Sequence, residues 1–182
     1  MPSQPFIRSL TLAFAAALTL AACCERPQEA SKVTAVAIAP VPPAPDRYPA
    51  TLAEGIDFSK PGNPAFLAAV NGLSGHEPWG RWSDSGTVTF QFAQPLPTHF
   101  TLILTAHAFG PNIGAPIKVK TGASEQTLTL TAAAETHRLD FTLTAPTDRL
   151  EFLIPQPTSP ADLQQGEDPR KLGIGFVTLR IN

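Results

Sequence analysis

Short segments in which apolar and polar residues alternate are the feature that most constrains the fold of this chain. Two clear examples are residues 87–92 (TVTFQF) and 100–108 (FTLILTAHA), and clusters of Pro, Gly, Asn, Asp and Ser separate most of the segments. A period of two places every second side chain on one face, as in a β-strand with one buried face. Further segments of this kind occupy residues 116–120, 126–131, 138–144, 149–154 and 172–181.

The pattern predicts an all-β domain, a β-sandwich of the jelly-roll type, because several short strands recur at regular spacing. The 20 prolines argue against a helical protein, since proline breaks helix interiors. One short helix is expected before the sandwich strands, at residues 64–71 (PAFLAAVN), with Pro64 near its start and Gly72 just past its end. The two cysteines are adjacent, so no disulfide can staple this domain.

The N-terminal residues have the pattern of an export signal. Arg8 precedes an apolar run at residues 10–20, which is too short to span a bilayer comfortably. The next residues, Leu20-Ala21-Ala22-Cys23, resemble the lipobox of bacterial lipoproteins. We therefore predict that residues 1–22 are a lipoprotein signal peptide and that Cys23 is lipidated. The alternative is an ordinary secretory signal that is cleaved near Ala22.

Lipidation at Cys23 predicts a membrane partner and a location in the bacterial cell envelope, anchored by acyl chains and facing the periplasm. Cys24 follows where an Asp would resemble an inner-membrane retention signal, so the outer membrane is favoured over the inner. Cys24 is expected to be a free thiol, and a disulfide-linked dimer is the alternative.

A linker is predicted between the anchor and the domain, so that residues 23–51 form the lipidated Cys with its linker and residues 52–182 form the β-sandwich. Residues 25–50 contain six prolines and many alanines, a composition that favours extended polyproline II. About 25 residues rising about 3.1 Å each would hold the domain up to roughly 80 Å from the bilayer.

Several function classes are disfavoured by what the sequence contains. The net charge is −2 without a basic cluster, so no nucleic-acid partner is predicted. The four histidines lack metal-ligand spacing, and no nucleophile elbow, P-loop or dinucleotide motif is present. We therefore predict a protein that is not an enzyme and that has no metal and no cofactor.

The candidate binding residues are concentrated in residues 75–84 (GHEPWGRWSD), which hold both tryptophans of the chain. Tryptophan faces stack on the C–H faces of sugars, while guanidinium and carboxylate groups bind sugar hydroxyls. Trp79, Arg81 and Trp82, with Glu77 or Asp84, would suit a sugar site. The alternative is a structural corner in which Trp82 fills the core and Arg81 pairs with a carboxylate such as Asp168. Of the two tryptophans, Trp79 is expected to be the more exposed.

A second group of candidates flanks two long loops. Asp168 and Arg170 precede the last strand, and Arg170 is expected either to bind an anion or carbohydrate or to bridge its loop to the sandwich. His107 precedes the loop at residues 110–115 (GPNIGA), Asn112 lies in it, and both are candidates to join a site there.

Three segments carry a resemblance to a known family: GLSGHEPWGRWSD at residues 72–84, PLPTHFTLILTAHAFGPNIGAPIKVKTGASEQTLTL at 95–130, and PRKLGIGFVTLRI at 169–181. They resemble the C-terminal accessory domain of bacterial phosphoglycerol transferase I, and similar patterns are appended to some bacterial glycosyltransferases. The resemblance implies a periplasmic setting in which phosphoglycerol is transferred to osmoregulated periplasmic glucans. The catalytic domain of that family has no counterpart here, so only an accessory role in glycan or envelope recognition is implied.

Three hypotheses follow from these observations. The first is a lipid-anchored, non-catalytic module that binds a periplasmic glucan or supports a glucan-modifying enzyme in trans. The second is a structural lipoprotein of the envelope that has a protein partner and no carbohydrate ligand. The third is a diverged hydrolase or transferase, which would require a polar cleft with clustered carboxylates.

Overall fold

The computed structural model describes residues 47–182, and the predicted signal peptide, Cys23 and most of the predicted linker lie outside them. The strands in chain order are β1 (Arg47–Tyr48), β2 (Ile56–Asp57), β3 (Asn63–Pro64), β4 (Leu67–Asn71), β5 (Arg81–Trp82), β6 (Thr87–Phe92), β7 (His99–Ala108), β8 (Pro116–Thr121), β9 (Ser124–Thr129), β10 (Glu135–Thr142), β11 (Arg149–Leu153) and β12 (Ile174–Ile181). A 3-10 turn occupies Gly110–Asn112.

Two sheets form the sandwich, which confirms the predicted fold class. One sheet has the order β4-β6-β11-β8-β9, and the other has the order β10-β7-β12-β2 with β5 also paired to β12. The chain crosses between the sheets after β4, β5, β6, β7, β9, β10 and β11, while β8 and β9 form a hairpin within one sheet. Repeated crossing between two antiparallel sheets is the connectivity expected of a jelly roll.

The core between the sheets is built on phenylalanine. Phe90 lies 5.9 Å from Phe58, 6.0 Å from Phe152 and 5.9 Å from Phe176, measured between ring centroids. Phe90, Phe152 and Phe176 have no exposed surface, and Phe58 is 2% exposed. Burying an aromatic side chain of this size contributes on the order of 2 kcal/mol through removal of apolar surface from water.

The predicted helix at residues 64–71 is wrong, because this segment forms β3 and β4. β4 pairs with the edge of β6, where Leu67 opposes Phe92 and Asn71 opposes Thr89, with a register shift between Leu67 and Ala69. The Arg47 guanidinium donates hydrogen bonds to the carbonyl oxygens of Leu67 and Ala68 at 2.8 and 3.0 Å. Pairing of the sheet edge therefore outweighs the helix propensity of the two alanines, because tertiary context overrides intrinsic propensity.

The first described residues fall inside the segment predicted as a linker. Arg47 and Tyr48 form β1, which pairs in parallel with Asn63 and Pro64 of β3. The backbone of Leu52 accepts a hydrogen bond from Ile181 of β12 at 2.9 Å, and Gly55 packs against Leu179. Within residues 47–182, no helix is long and apolar enough to cross a membrane.

Candidate functional site

A tight turn presents Trp79 at the edge of the sandwich. The backbone groups of Glu77 and Gly80 bond to each other in both directions, at 2.7 and 3.1 Å, which leaves Pro78 and Trp79 at the tip. A Cβ at position 80 would lie 2.1 Å from the carbonyl oxygen of Phe176, so only glycine lets this turn lie against β12. The sequence EPWG at residues 77–80 therefore determines the position of the Trp79 ring.

Strand register brings His107 and Trp82 to the same place. On the outer face of the sheet, Gly175 of β12 is paired with His107 of β7 on one side and with Trp82 of β5 on the other. Directly paired residues point to the same face of a sheet. Because Gly175 has no side chain, the two rings can approach across it, and their centroids are 4.7 Å apart.

Trp79 completes a cluster of three rings. Its centroid lies 5.0 Å from both Trp82 and His107, and all three contacts are edge-to-face. Edge-to-face packing is a favoured arrangement of aromatic rings. All three side chains are partly exposed rather than buried. The alternative in which Trp82 fills the core is therefore not observed, because the phenylalanines already fill it.

The three rings line an open cavity of about 470 Å³. Its remaining lining comes from small or aliphatic residues, Ala132, Ala134 and Val177. Val177 stands in a register shift between Phe176 and Thr178, where β12 holds an extra residue relative to β7. We name this cavity the aromatic pocket.

A polar network holds Trp79 in place at the aromatic pocket. The indole N–H of Trp79 donates to Glu77 Oε2 at 2.9 Å, and Arg170 Nη1 donates to Glu77 Oε1 at 3.0 Å. Arg170 also donates to the Asp168 carboxylate from Nε and Nη2, at distances from 2.6 to 3.1 Å. These bonds lower the pKa of Asp168 and raise that of Arg170. Of the two roles expected for Arg170, the structure shows the bridge between loop and sandwich.

The loop that carries Asp168 and Arg170 is itself held in place. Lys171 forms an ion pair with Asp162, and its hydrogen bond lowers the pKa of Asp162 to about 2. The backbone N–H of Lys171 donates to Asp84 Oδ1 at 3.0 Å. Asp84 therefore anchors this loop to the segment at residues 75–84, outside the aromatic pocket.

The structure places two other candidates away from the aromatic pocket. Arg81 Nη2 donates to the carbonyl oxygens of Lys60 and Gly62, at 3.1 and 2.8 Å, so it does not pair with Asp168. Asn112 is fully buried and bonds through its side chain to both backbone groups of Gln156, at 2.7 and 3.1 Å. Both residues hold loops in position.

His107 is a partly buried titratable group in the ring cluster. Burial lowers its pKa from 6.5, because desolvation disfavours the charged imidazolium. Burial among the two indoles therefore favours the neutral form of the ring. Among the described residues, no group of three or more His, Cys, Asp or Glu side chains is arranged to hold a metal ion.

Gly175, Val177, Ala132 and Ala134 are site residues that sequence reasoning did not identify. Gly175 carried a usable signal, because glycine inside a strand often marks a close approach of another group. It stands in the run LGIGFV, where an alternating strand would otherwise place a side chain. The partners of Gly175 depend on strand register, which the run alone does not reveal.

We expect Gly175→Ala to displace His107 and open the ring cluster. A Cβ at this position would lie 2.2 Å from His107 Nε2, far inside van der Waals contact. The change should shift the tryptophan fluorescence and the imidazole resonances of His107. A His107→Ala background removes the three atoms nearest to this Cβ, so the effect of the same substitution on fluorescence should largely vanish. Equal effects in both backgrounds would contradict this geometry.

The fold and the ring cluster together define a β-sandwich module with an aromatic pocket on one sheet face. The chain belongs to the family described as domain of unknown function DUF7024, which matches residues 41–182. It is 37% identical over 133 residues to phosphoglycerol transferase I of Citrobacter koseri, covering 71% of this chain and 17% of that protein. The corresponding protein of Salmonella arizonae is 38% identical with the same coverage. The chain thus spans about a sixth of the length of these curated relatives, and the family resemblance seen in the sequence is confirmed.

Two solved carbohydrate-binding modules are similar in shape. A mutant of the family 29 module CBM29-2 has a TM-score of 0.47 and 15% identity, covering 70% of this chain and 89% of the module. The module CBM1 of BiXyn10A has a TM-score of 0.43 and 10% identity, covering 70% of this chain and 94% of the module.

Proposed function

We propose that this chain is a non-catalytic glycan-binding module, anchored by lipid in the bacterial envelope, and that the aromatic pocket receives the sugar. The single observation that supports this most strongly is the cluster of Trp79, Trp82 and His107 around an open cavity of about 470 Å³. A large apolar surface left open to water is typical of a binding site. In this domain the core is filled by phenylalanine, and both tryptophans stand at the pocket.

The chemistry of the pocket suits a ligand that is apolar on its faces and polar at its edges. The electron-rich faces of the rings attract the polarised C–H bonds on the face of a pyranose. Arg170 and Asp168, which are connected to Trp79 through Glu77, keep 34% and 30% of their side-chain surface exposed, so they can bond to sugar hydroxyls. Because the indole N–H of Trp79 is already bonded to Glu77, its ring is held in position before a ligand arrives.

The proposed ligand is a periplasmic glucan, bound either alone or in support of a glucan-modifying enzyme that acts in trans. The test is titration calorimetry of the full-length chain in detergent with purified periplasmic glucan. We expect saturable heat with a defined stoichiometry. Absence of heat at millimolar glucan, together with recovery of a stoichiometric protein from envelope extracts, would favour a structural lipoprotein with a protein partner instead.

The lipid anchor is a separate prediction, which Cys23 and the preceding LAA motif support. Cells grown with labelled palmitate should incorporate label into the wild-type chain and into a Cys24→Ser variant. Cys23→Ser should abolish labelling and leave an uncleaved precursor. Two or three acyl chains anchor stably because each buried CH₂ contributes about 0.8 kcal/mol. Labelling that survives in Cys23→Ser would refute the assignment.

A further inference from the structure

A second cavity of about 470 Å³ lies on the same sheet face as the aromatic pocket. Its floor includes Ile103 and Thr105 of β7 and Thr178 and Arg180 of β12. Its wall is formed by the segment that enters the domain, from Tyr48 to Asp57. We name this cavity the polar pocket.

The register of β7 places the two pockets end to end. Outward-facing residues alternate along this strand as His107, Thr105 and Ile103, so His107 lies in the aromatic pocket and the other two in the polar pocket. At about 3.4 Å per residue, His107 and Ile103 are about 14 Å apart along the strand. Both pockets therefore lie on one face within the length of a short oligosaccharide.

A row of hydroxyl groups crosses the face near the junction of the two pockets. Thr105 is paired with Thr136 of β10 on one side and with Thr178 of β12 on the other. The Thr105 and Thr136 hydroxyl oxygens are 2.9 Å apart and are hydrogen-bonded to each other. Each hydroxyl can donate one bond and accept two, which is the capacity needed to pair with sugar hydroxyls.

The wall of the polar pocket is fixed rather than loosely attached. A Cβ on Gly55 would lie 2.2 Å from the carbonyl oxygen of Leu179, so the backbone packs directly on β12. Ile103 faces outward, yet it is only 4% exposed and lies outside the core cluster between the sheets. The covered Ile103 and the close contact at Gly55 indicate a preformed cavity.

Charged groups at the polar pocket remain available for a ligand. Glu54 Oε2 accepts hydrogen bonds from the N–H and the hydroxyl of Thr51, at 2.7 and 2.8 Å. Within residues 47–182, the other Glu54 oxygen and the Arg180 guanidinium have no hydrogen-bond or ion-pair partner. A carboxylate and a guanidinium in the lining of one cavity suit a neutral ligand with many hydroxyls better than an ion of one sign.

We infer that the two pockets are subsites of one track that binds a linear oligosaccharide along β7. This inference rests on the proposed glycan-binding function. One sugar unit stacks in the aromatic pocket, and units further along the chain bond to Thr105, Thr178, Arg180 and Glu54. The ligand class is therefore a glycan chain of several units rather than a single sugar or a chain end alone.

The test is a calorimetric series in which the full-length chain is titrated with β-linked gluco-oligosaccharides from disaccharide to heptasaccharide. We expect affinity to rise by about tenfold or more as the chain lengthens enough to reach the polar pocket, a gain of about 1.4 kcal/mol. Thr178→Val and Arg180→Ala should each weaken binding of the heptasaccharide and leave disaccharide binding unchanged. Thr129→Val and Arg149→Ala, which alter exposed residues of the other sheet, are the matched controls.

The outcomes separate the track from the proposed function. Binding that is lost in Trp79→Ala but is equally strong at every chain length would overturn the track and leave glycan binding intact. Full heptasaccharide affinity in both Thr178→Val and Arg180→Ala would overturn it as well. Failure to bind any oligosaccharide or purified periplasmic glucan would overturn the proposed function itself.

Discussion

Replacing Trp79 by Ala is expected to weaken glycan binding by about 30-fold or more. Tryptophans at the centre of binding sites commonly contribute about 2 kcal/mol or more when truncated, which corresponds to that factor. Trp79 carries such a role because its ring lies 5.0 Å from both Trp82 and His107 and forms one side of the aromatic pocket. Titration calorimetry with periplasmic glucan measures the change directly.

The appropriate control for Trp79→Ala removes another exposed apolar side chain. Ile113 is 48% exposed in the loop after β7, and Ile113→Ala should leave the affinity unchanged. Trp79→Phe should retain part of the binding, because an aromatic face remains while the bond to Glu77 is lost. Unchanged affinity in Trp79→Ala, with an intact far-ultraviolet spectrum, would rule out the aromatic pocket as the glycan site.

The strands could be predicted because alternation is a local signal with a direct physical cause. Thr87–Phe92 and Pro116–Thr121 each bury one face against the opposite sheet, so the sequence must alternate there. Leu67–Asn71 shows the limit of this reasoning. Its sequence LAAVN has no clean alternation, and it is a strand because β6 offers an unpaired edge. Because β6 is remote in sequence from this segment, a local pattern does not contain the pairing and therefore predicts a helix.

The sequence predicted which residue types belong to the site, but it did not predict which of them meet in space. The two tryptophans stood out because aromatic residues of that size are rare in this chain. The sequence did not show which neighbouring cation belongs with them. Arg81 is next to Trp82 but bonds to Lys60 and Gly62, whereas Arg170 is remote in sequence and reaches Glu77. Adjacent residues in a strand point to opposite faces, so neighbours in sequence are separated in space.

Two sets of aromatic residues thus occupy separate places in this domain, one in the core and one on the outer face of a sheet. Phe58, Phe90, Phe152 and Phe176 pack between the sheets with no more than 2% of their surface exposed. Trp79, Trp82 and His107 pack on the outside of one sheet, across Gly175. Because the glycine separates the ring cluster from the interior, changes in one set should have little effect on the other.

This separation predicts opposite outcomes for Phe90→Ala and Trp82→Ala. Phe90→Ala should lower the free energy of unfolding by about 3–5 kcal/mol, since it leaves a cavity among three phenylalanines. The molecules that remain folded should bind glycan with unchanged affinity. Trp82→Ala should cost clearly less stability, because its side chain is only partly buried, and should weaken glycan binding strongly.

Urea unfolding with fluorescence and circular dichroism measures the first quantity, and calorimetry measures the second. Phe90→Ala should shift the unfolding midpoint without changing the dependence of the free energy on urea, provided that unfolding stays two-state. A loss of stability in Trp82→Ala as large as that in Phe90→Ala would make Trp82 a core residue. The aromatic pocket would then be a by-product of packing, and glycan binding would have to be sought elsewhere on the sandwich.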